Sequence, residues 1–423
     1  MNTASFRPAP DKKLSAFRLI LFLGLVSLFG DIVYEGARSV NGPYLEVLAA
    51  NAAVVGFVAG AGEFIGYALR LLTGYLSDRT RSYWVSVFIG YGLLASVPLL
   101  SLTGAWQTAA VLILMERIGK AVRSPGRDTL ISHAGAQVGT GLSFGLHEAL
   151  DQLGALSGPL IFTLFFALTV KGAAGVQSYR HAYSLLWIPF ALVVFLLIAA
   201  FLKFPRSDKL DPAGSNNPVP EKLTGVFWLY TVFIFFVACG FANFLLISFH
   251  FKAARMFNDA QIPLLYALAM GVDGIAALSI GKAYDLMKKK RGNMNAGLEL
   301  LVVIPFLSAL IPAMAFAGNS AVALAGMCVW GVVMGVHETI MRSAIADITP
   351  LQKRGLGYGI FNTSYGLAML VGASLQGLLY MHSVKLMLVF TTIAQAAALV
   401  IFIMLKIRIN GKREHGGFKP TVA

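Results

Sequence analysis

The chain has 423 residues, 57% of them hydrophobic and 13% charged; a soluble domain carries roughly 25% charged residues, so an ordinary soluble fold is excluded. Its formal net charge of +14 does not mark a nucleic-acid binder, because Lys and Arg gather in alternate interhelical segments, as in chains threaded through a membrane. The two cysteines, Cys239 and Cys328, lie in apolar stretches and read as small buried residues, which excludes a disulfide framework or a zinc site.

Stretches 19–30, 84–102, 185–202 and 388–405 hold almost no ionisable group. A spanning helix needs roughly 20 mostly apolar residues and satisfies its own backbone hydrogen bonds, which lipid cannot do. Twelve helices are predicted, over 15–40, 52–76, 83–103, 107–128, 141–169, 180–203, 224–251, 261–286, 293–317, 320–347, 355–380 and 383–408. The basic start (Arg7, Lys12, Lys13, Arg18) leads into a long apolar run that contains charge, so it reads as a retained first helix and not a cleaved signal. One set of connecting segments carries Arg79 and Arg81, then Lys203, Arg206, Lys209 and Lys222, then Lys288 to Arg291, then Lys353 and Arg354. The other set carries only Lys171, Arg180, Lys252, Arg255 and Lys385. The positive-inside pattern therefore predicts both termini in the cytoplasm and an even number of passes through the plasma (inner) membrane.

Segment 204–223 is polar and rich in Pro, Gly and Asn, and reads as a cytoplasmic linker. The expected organisation is a six-helix bundle over 1–203, the linker, a second six-helix bundle over 224–410 and a cytoplasmic tail over 411–423. The halves also align with each other. A shift of 207 residues lays Gly74 and Asp78 on Gly281 and Asp285; a shift of 214 lays Gly158 on Gly372. This is the mark of a parallel duplication, an architecture found in transporters whose site lies near the membrane midplane.

After helix 2 the chain reads Gly74-Tyr75-Leu76-Ser77-Asp78-Arg79-Thr80-Arg81. Gly74 permits close helix approach. Asp78 is suited to cap a neighbouring helix, and Arg79 and Arg81 to meet an anionic lipid surface. The sequence resembles the signature loop between helices 2 and 3 of the major facilitator superfamily, with an echo at 281–291. Helix 5 carries Gly145, Gly154, Gly158 and Pro159. This is similar to the family motif of exporters and antiporters, although Leu160, Ile161 and Phe162 follow where that motif has further glycines; the alternative is generic small-residue packing. The resemblance covers nearly the whole chain. It implies an all-α membrane protein of two six-helix bundles in pseudo-twofold arrangement, with the loop acting as a latch and helices 1, 4, 7 and 10 lining a central pathway.

Charged groups inside a membrane are costly and mark function by default. On helix 1, Asp31, Tyr34, Glu35 and Arg38 share a face. Its two carboxylates repel each other unless Arg38 compensates, which suits proton coupling or cation recognition; the alternative is a structural Glu35–Arg38 pair. Helix 4 carries Glu116, Arg117, Lys120, Arg123 and Arg127. Arg123 and Arg127 are expected to snorkel to the surface, while Glu116 and Arg117 sit too deep. Arg117 either binds an anionic group or tunes a neighbouring carboxylate. On helix 5, His147 and Asp151 share the glycine face and Glu148 points away; either Glu148 faces a cavity and exchanges a proton, or His147 and Asp151 form a buried interhelical pair, for instance with Asp273 on helix 8. Helix 10 adds His337, and Glu338 and Arg342 at ion-pair spacing. Helix 7 adds Asn243.

No phosphate-binding Gly-x-x-x-x-Gly-Lys motif, zinc-protease motif or nucleophile elbow occurs, so neither an ATP-driven pump nor an enzyme is expected, and no cofactor or metal. The predicted function is secondary active transport of a small solute by alternating access, as proton-coupled export by antiport, in a monomer whose partners are the solute, protons and the bilayer. The alternatives are an importer or uniporter of a polar metabolite, siderophore or metal ion, with His147, Glu148 and Asp151 keeping a divalent cation open, and, from another class, a non-transporting receptor or sensor.

Overall fold

The computed structural model describes residues 10–205, 223–291, 294–349 and 354–414. The described residues form helices and their connections, arranged in twelve passes. The first six are α1 (Pro10–Val47), α2 (Ala52–Thr80), α3 (Tyr83–Leu102, broken near residue 94), α4 (Trp106–Val138), α5 (Thr140–Thr169) and α6 (Val176–Lys203, broken at Leu185–Leu186). The second six are α7 (Gly225–Ala253, broken at 240–243), α8 (Gln261–Arg291), α9 (a 3-10 segment Met294–Val302 leading into Val303–Ala315), α10 (Ser320–Ile348), α11 (Arg354–His382) and α12 (Val384–Glu414). Among the described residues, eleven passes are long and apolar enough to cross a membrane. The twelfth, α4, is the one that carries the charges. Large apolar side chains such as Leu168, Ile188, Phe195, Leu202 and Leu278 stand exposed, which in a lipid-facing position needs no burial.

Several helices run past their expected ends. α1 continues through Pro43 and α4 through Pro125, because neighbouring helices and side chains can absorb the hydrogen bond that a proline removes inside a membrane. α2 continues to Thr80, so Asp78 and Arg79 lie in its last turn and not in a loop. Most of the linker, Lys353, and the tail after Glu414 lie outside the described residues.

The chain forms two compact units. The first comprises 1–41 and 69–216, the second 42–68 and 217–423. In the first, α5 crosses α1 at backbone contact: a Cβ on Gly158 would lie 2.5 Å from the carbonyl of Ile32 and 2.7 Å from the nitrogen of Gly36, and one on Gly154 2.5 Å from the carbonyl of Leu28. In the second, Gly372 brings α11 against the backbone of Cys239 in α7. The residue pair matched by the internal shift, Gly158 and Gly372, thus performs the same packing task in each unit. Gly145, by contrast, faces open space, so only the Gly154–Gly158 part of the helix-5 motif packs.

Candidate functional site

The ionisable residues of α1, α4 and α5 assemble into two adjoining clusters inside the first unit. The first is built around Tyr34. The Arg117 Nη1 donates to the Tyr34 hydroxyl, and Arg38 Nη1 donates to the same oxygen from 3.4 Å. Lys120 Nζ lies 3.8 Å from the centre of the Tyr34 ring, with the guanidinium carbons of Arg117 at 5.0 Å and Arg38 at 5.9 Å, so the ring's negative face serves three cations. Glu35 faces Arg38 at 3.7 Å and Lys120 at 3.9 Å. Glu116 faces Arg117 at 3.8 Å and Arg123 at 3.5 Å. Helical spacing explains the convergence: Asp31, Glu35 and Arg38 follow one stripe of α1, and Glu116, Lys120, Arg123 and Arg127 one stripe of α4. A recess of about 250 Å³ opens beside Tyr34, Arg38, Asn41, Glu116 and Arg117.

Arg123 and Arg127 do not snorkel. Arg123 is 2% exposed, pairs with Glu116 and lies over the Tyr91 ring. Arg127 turns inward to Ser27 and Asp151 as well as to its neighbour Asp128. With carboxylates within 4 Å, the pairing inside the protein outweighs the short climb to the surface.

Arg127 leads into the second cluster. Its Nη1 donates to Ser27 Oγ at 2.9 Å. Ser27 Oγ also lies 3.1 Å from His147 Nε2 and 3.1 Å from the Tyr91 hydroxyl. On its far side, His147 Nδ1 faces Asp151 Oδ1 at 3.3 Å, and Asp151 Oδ2 lies 3.9 Å from Arg127. The two ring nitrogens of His147 thus face different neighbours, Nδ1 the Asp151 carboxylate and Nε2 the Ser27 hydroxyl. Asp31 lies within electrostatic reach of Asp151, Lys120, Glu35 and Arg123, between the clusters. The expected pairing of His147 and Asp151 is therefore present, but with Ser27 and Arg127 as its partners. Ser27 was legible only in retrospect, as the residue one turn before Asp31 on the same face; Tyr91 sits in an apolar run that carries no such signal.

Other predicted positions stand apart. Glu148 lies on the exposed face of α5, so His147, Glu148 and Asp151 do not form a ligand set; no group of three or more His, Cys, Asp or Glu among the described residues is placed to hold a metal ion. Asp78 is exposed and caps nothing among the described residues; Ser82 occupies the N-cap of α3 without a capping side-chain bond. Arg79 reaches the Tyr75 hydroxyl at 3.5 Å, and Arg81 takes a left-handed φ of 52° at the turn. Gly74 touches Pro125 at van der Waals distance.

In the second unit, Asn243 serves structure. Its Oδ1 accepts from Leu245 N at 2.9 Å and restarts α7 after the break. The break frees backbone carbonyls, and polar side chains from three helices reach them. Gln376 Nε2 donates to Cys239 O and Phe241 O, both at 3.2 Å, Gln395 Nε2 to Val237 O at 3.0 Å, and Trp330 Nε1 to Ala242 O at 3.0 Å. His337 Nδ1 lies 3.1 Å from the Tyr365 hydroxyl and its ring packs on Phe241. It borders a recess of about 350 Å³ shared with Tyr67, Glu338, Phe361 and Asn362. The Arg342 side chain lies outside the described residues. Two further features escaped sequence reading. Glu63 is buried in α2, and Asp347 accepts from Lys288 at 2.6 Å and Tyr284 at 2.7 Å.

The family model described as Major Facilitator Superfamily matches residues 20–373 and, again, 260–422. The chain belongs to the major facilitator superfamily. It is 38% identical over 407 residues to an uncharacterized protein of Mycobacterium tuberculosis, covering 95% of both chains. An uncharacterized MFS-type transporter of Methanocaldococcus jannaschii is 22% identical over 402 residues, covering 90% of this chain and 93% of the other. Among solved structures, a bacterial homolog of the human lysosomal transporter Spinster in an inward-facing, occupied conformation superposes with a TM-score of 0.70 at 12% identity, covering 92% of this chain and 97% of the other. A peptide transporter, POT, gives 0.69 at 13%, covering 95% and 98%. At such identities the structural likeness carries the fold alone. As a major facilitator protein the chain is a multi-pass membrane protein and a secondary transporter of a small solute.

Proposed function

We propose that this transporter exports its solute across the plasma membrane, with both termini in the cytoplasm, in exchange for protons. The observation that carries the proposal is the buried Ser27–His147–Asp151–Arg127 relay joined through Asp31 to the Tyr34 cluster. Secondary transport needs a group that binds a proton in one access state and releases it in the other. In this reading His147 and Asp151, whose Nδ1 and Oδ1 lie 3.3 Å apart, carry the coupling proton, and Arg127, 3.9 Å from Asp151, holds the carboxylate when the proton leaves. In this reading, solute bound near Tyr34 draws on Arg38, Arg117 and Lys120, alters their hold on Glu35, and so changes the field at Asp31 one turn away. Proton and solute then compete through charge and need not touch. Of the glycines shared with the exporter and antiporter motif, Gly154 and Gly158 form the tight crossing of α5 on α1, which supports the export reading.

The test is proton counterflow in proteoliposomes carrying an internal pH dye. A transported solute should drive proton movement in the opposite direction, and Asp151→Asn should lower that coupled flux at least about tenfold while leaving solute binding measurable. Solute uptake unaffected by collapsing the proton gradient with a protonophore would sink the reading. Co-directional movement of proton and solute would sink the antiport direction.

A further inference from the structure

We propose that Tyr91 is a positioning residue for the coupling step: it senses whether His147 Nε2 carries a proton and relays that state to Arg123, so that α3 links the two charge clusters. The inference rests on the transport reading above for the identity of His147 as a coupling group. Asp31 joins the clusters through space; Tyr91 joins them by contact. Its hydroxyl lies 3.1 Å from Ser27 Oγ, which belongs to the His147 cluster. Its ring lies under Arg123, whose guanidinium carbon is 5.1 Å from the ring centre and which belongs to the Tyr34 cluster through Glu116. Tyr91 is 1% exposed, and close packing at two glycines holds it in place. A Cβ on Gly30 of α1 would lie 3.1 Å from Tyr91 Cε1, and one on Gly90, the residue before it, 2.4 Å from that of Arg123.

The link follows from counting hydrogens at Ser27. A serine hydroxyl has one hydrogen to give and two lone pairs to fill. Arg127 Nη1, 2.9 Å away, donates only and takes one lone pair. With His147 Nε2 bare, Ser27 gives its hydrogen to that nitrogen, and its second lone pair accepts from Tyr91. With a proton on Nε2, the imidazole donates and fills the second lone pair. Ser27 then turns its hydrogen to Tyr91, whose oxygen changes from donor to acceptor. One proton on His147 thus reverses the hydrogen bond at Tyr91, two contacts away. A phenol that donates is richer in ring electrons than one that accepts, because hydrogen bonds in a chain polarise one another, and its face holds a cation more strongly. Protonation of Nε2 therefore loosens the hold of Tyr91 on Arg123, and through Arg123 alters the field at Glu116, 3.5 Å further on. The charged and titratable groups around His147 are Asp151 on its own helix, Arg127 from α4 with Asp128 on its far side, Asp31 from α1 within reach of Asp151, and Tyr91 from α3. They set where His147 titrates; the reversal at Tyr91 follows from Ser27.

The experiment uses the full chain in phosphatidylcholine nanodiscs and needs no solute. Infrared difference spectra are recorded from about pH 5 to pH 8, where an imidazole of ordinary basicity changes charge, with isotope-labelled tyrosine, histidine or arginine. The chain has 14 tyrosines, so the Tyr91 band is the one missing in Tyr91→Phe, which keeps the ring. That band should move from the frequency of a donating phenol to that of an accepting one. Its midpoint should match that of the histidine band missing in His147→Gln, and in His147→Gln it should stand still. Should His147→Gln fail to fold, Ser27→Ala retains the imidazole and should abolish the Tyr91 response while the histidine band still titrates. The arginine band missing in Arg123→Lys should shift at the same midpoint in the wild type and stay fixed in Tyr91→Leu. A Tyr91 band that is still while His147 titrates, one that moves equally in Ser27→Ala, or an Arg123 band indifferent to that midpoint would overturn the proposal and leave the transport reading standing. A His147 band silent over the whole range would overturn it as well. A Tyr91 band that follows His147 in a protein showing no proton counterflow would fail the transport reading and leave this one standing.

Discussion

The two units solve one problem with different chemistry. Each holds polar groups at membrane depth, where an unsatisfied donor or charge costs several kcal/mol, about 2–7 for a neutral group. In the first unit the polar groups are charges on side chains, and opposite charges lie beside one another: Glu116 with Arg117 and Arg123, Asp151 with Arg127. In the second they are the backbone carbonyls exposed by the break in α7, and neutral side chains, Gln376, Gln395 and Trp330, satisfy them. The two units share packing glycines, Gly158 and Gly372, and differ in chemistry. A charge network changes with protonation and with a bound ion. An amide network does not, so the proposed coupling is assigned to the first and the shape of a helix bend to the second.

That contrast can be broken at Glu116. Replacing it by Leu strands Arg123, itself 2% exposed, as a buried unpaired cation, and should cost about 3–5 kcal/mol of stability, read by unfolding of the purified protein in detergent. A smaller step follows at the shared scaffold. Gly158→Leu drives a side chain into the backbone of Ile32 and Gly36 and should cost about 1–3 kcal/mol, toward the upper end. Gly145→Ala meets no atom within 4 Å and should leave stability unchanged or raise it by about 0.5–1 kcal/mol through helix propensity. If the two glycine variants melt alike, the packing role assigned to the Gly154–Gly158 pair fails. In the second unit, Gln376→Leu removes both donors to Cys239 O and Phe241 O and should cost about 1–3 kcal/mol, with no change in the pH profile of transport. A Gln376→Leu protein less stable than Glu116→Leu, or with a shifted pH profile, would erase the distinction between the units.

Much of this was legible along the chain. Apolar runs of membrane length, the basic segments and the matched glycines report on local composition and spacing, and the membrane rewards those directly. The stripes of α1 and α4 could be read too, because helical periodicity alone puts Asp31, Glu35 and Arg38 on one face. What could not be read was which stripe faces which. Ser27 and Tyr91 became members of the relay only because α1, α3 and α5 meet there. The inward turn of Arg123 and Arg127 depended on carboxylates within 4 Å, Glu116 two turns back on α4 and Asp151 across on α5.

By itself the sequence determined that this protein crosses the membrane in twelve helices, with its ionisable residues concentrated in α1, α4 and α5. A helix's exposure to lipid and the spacing of its faces are properties of short stretches. Only the tertiary structure decided that Tyr34 gathers three cations, that Asp151 answers to His147 and Arg127, and that Glu148 and Asp78 stand outside. Those outcomes are choices among partners up to 86 residues apart, the separation of Tyr34 and Lys120, and Coulomb energy is set by distance in space, not along the chain.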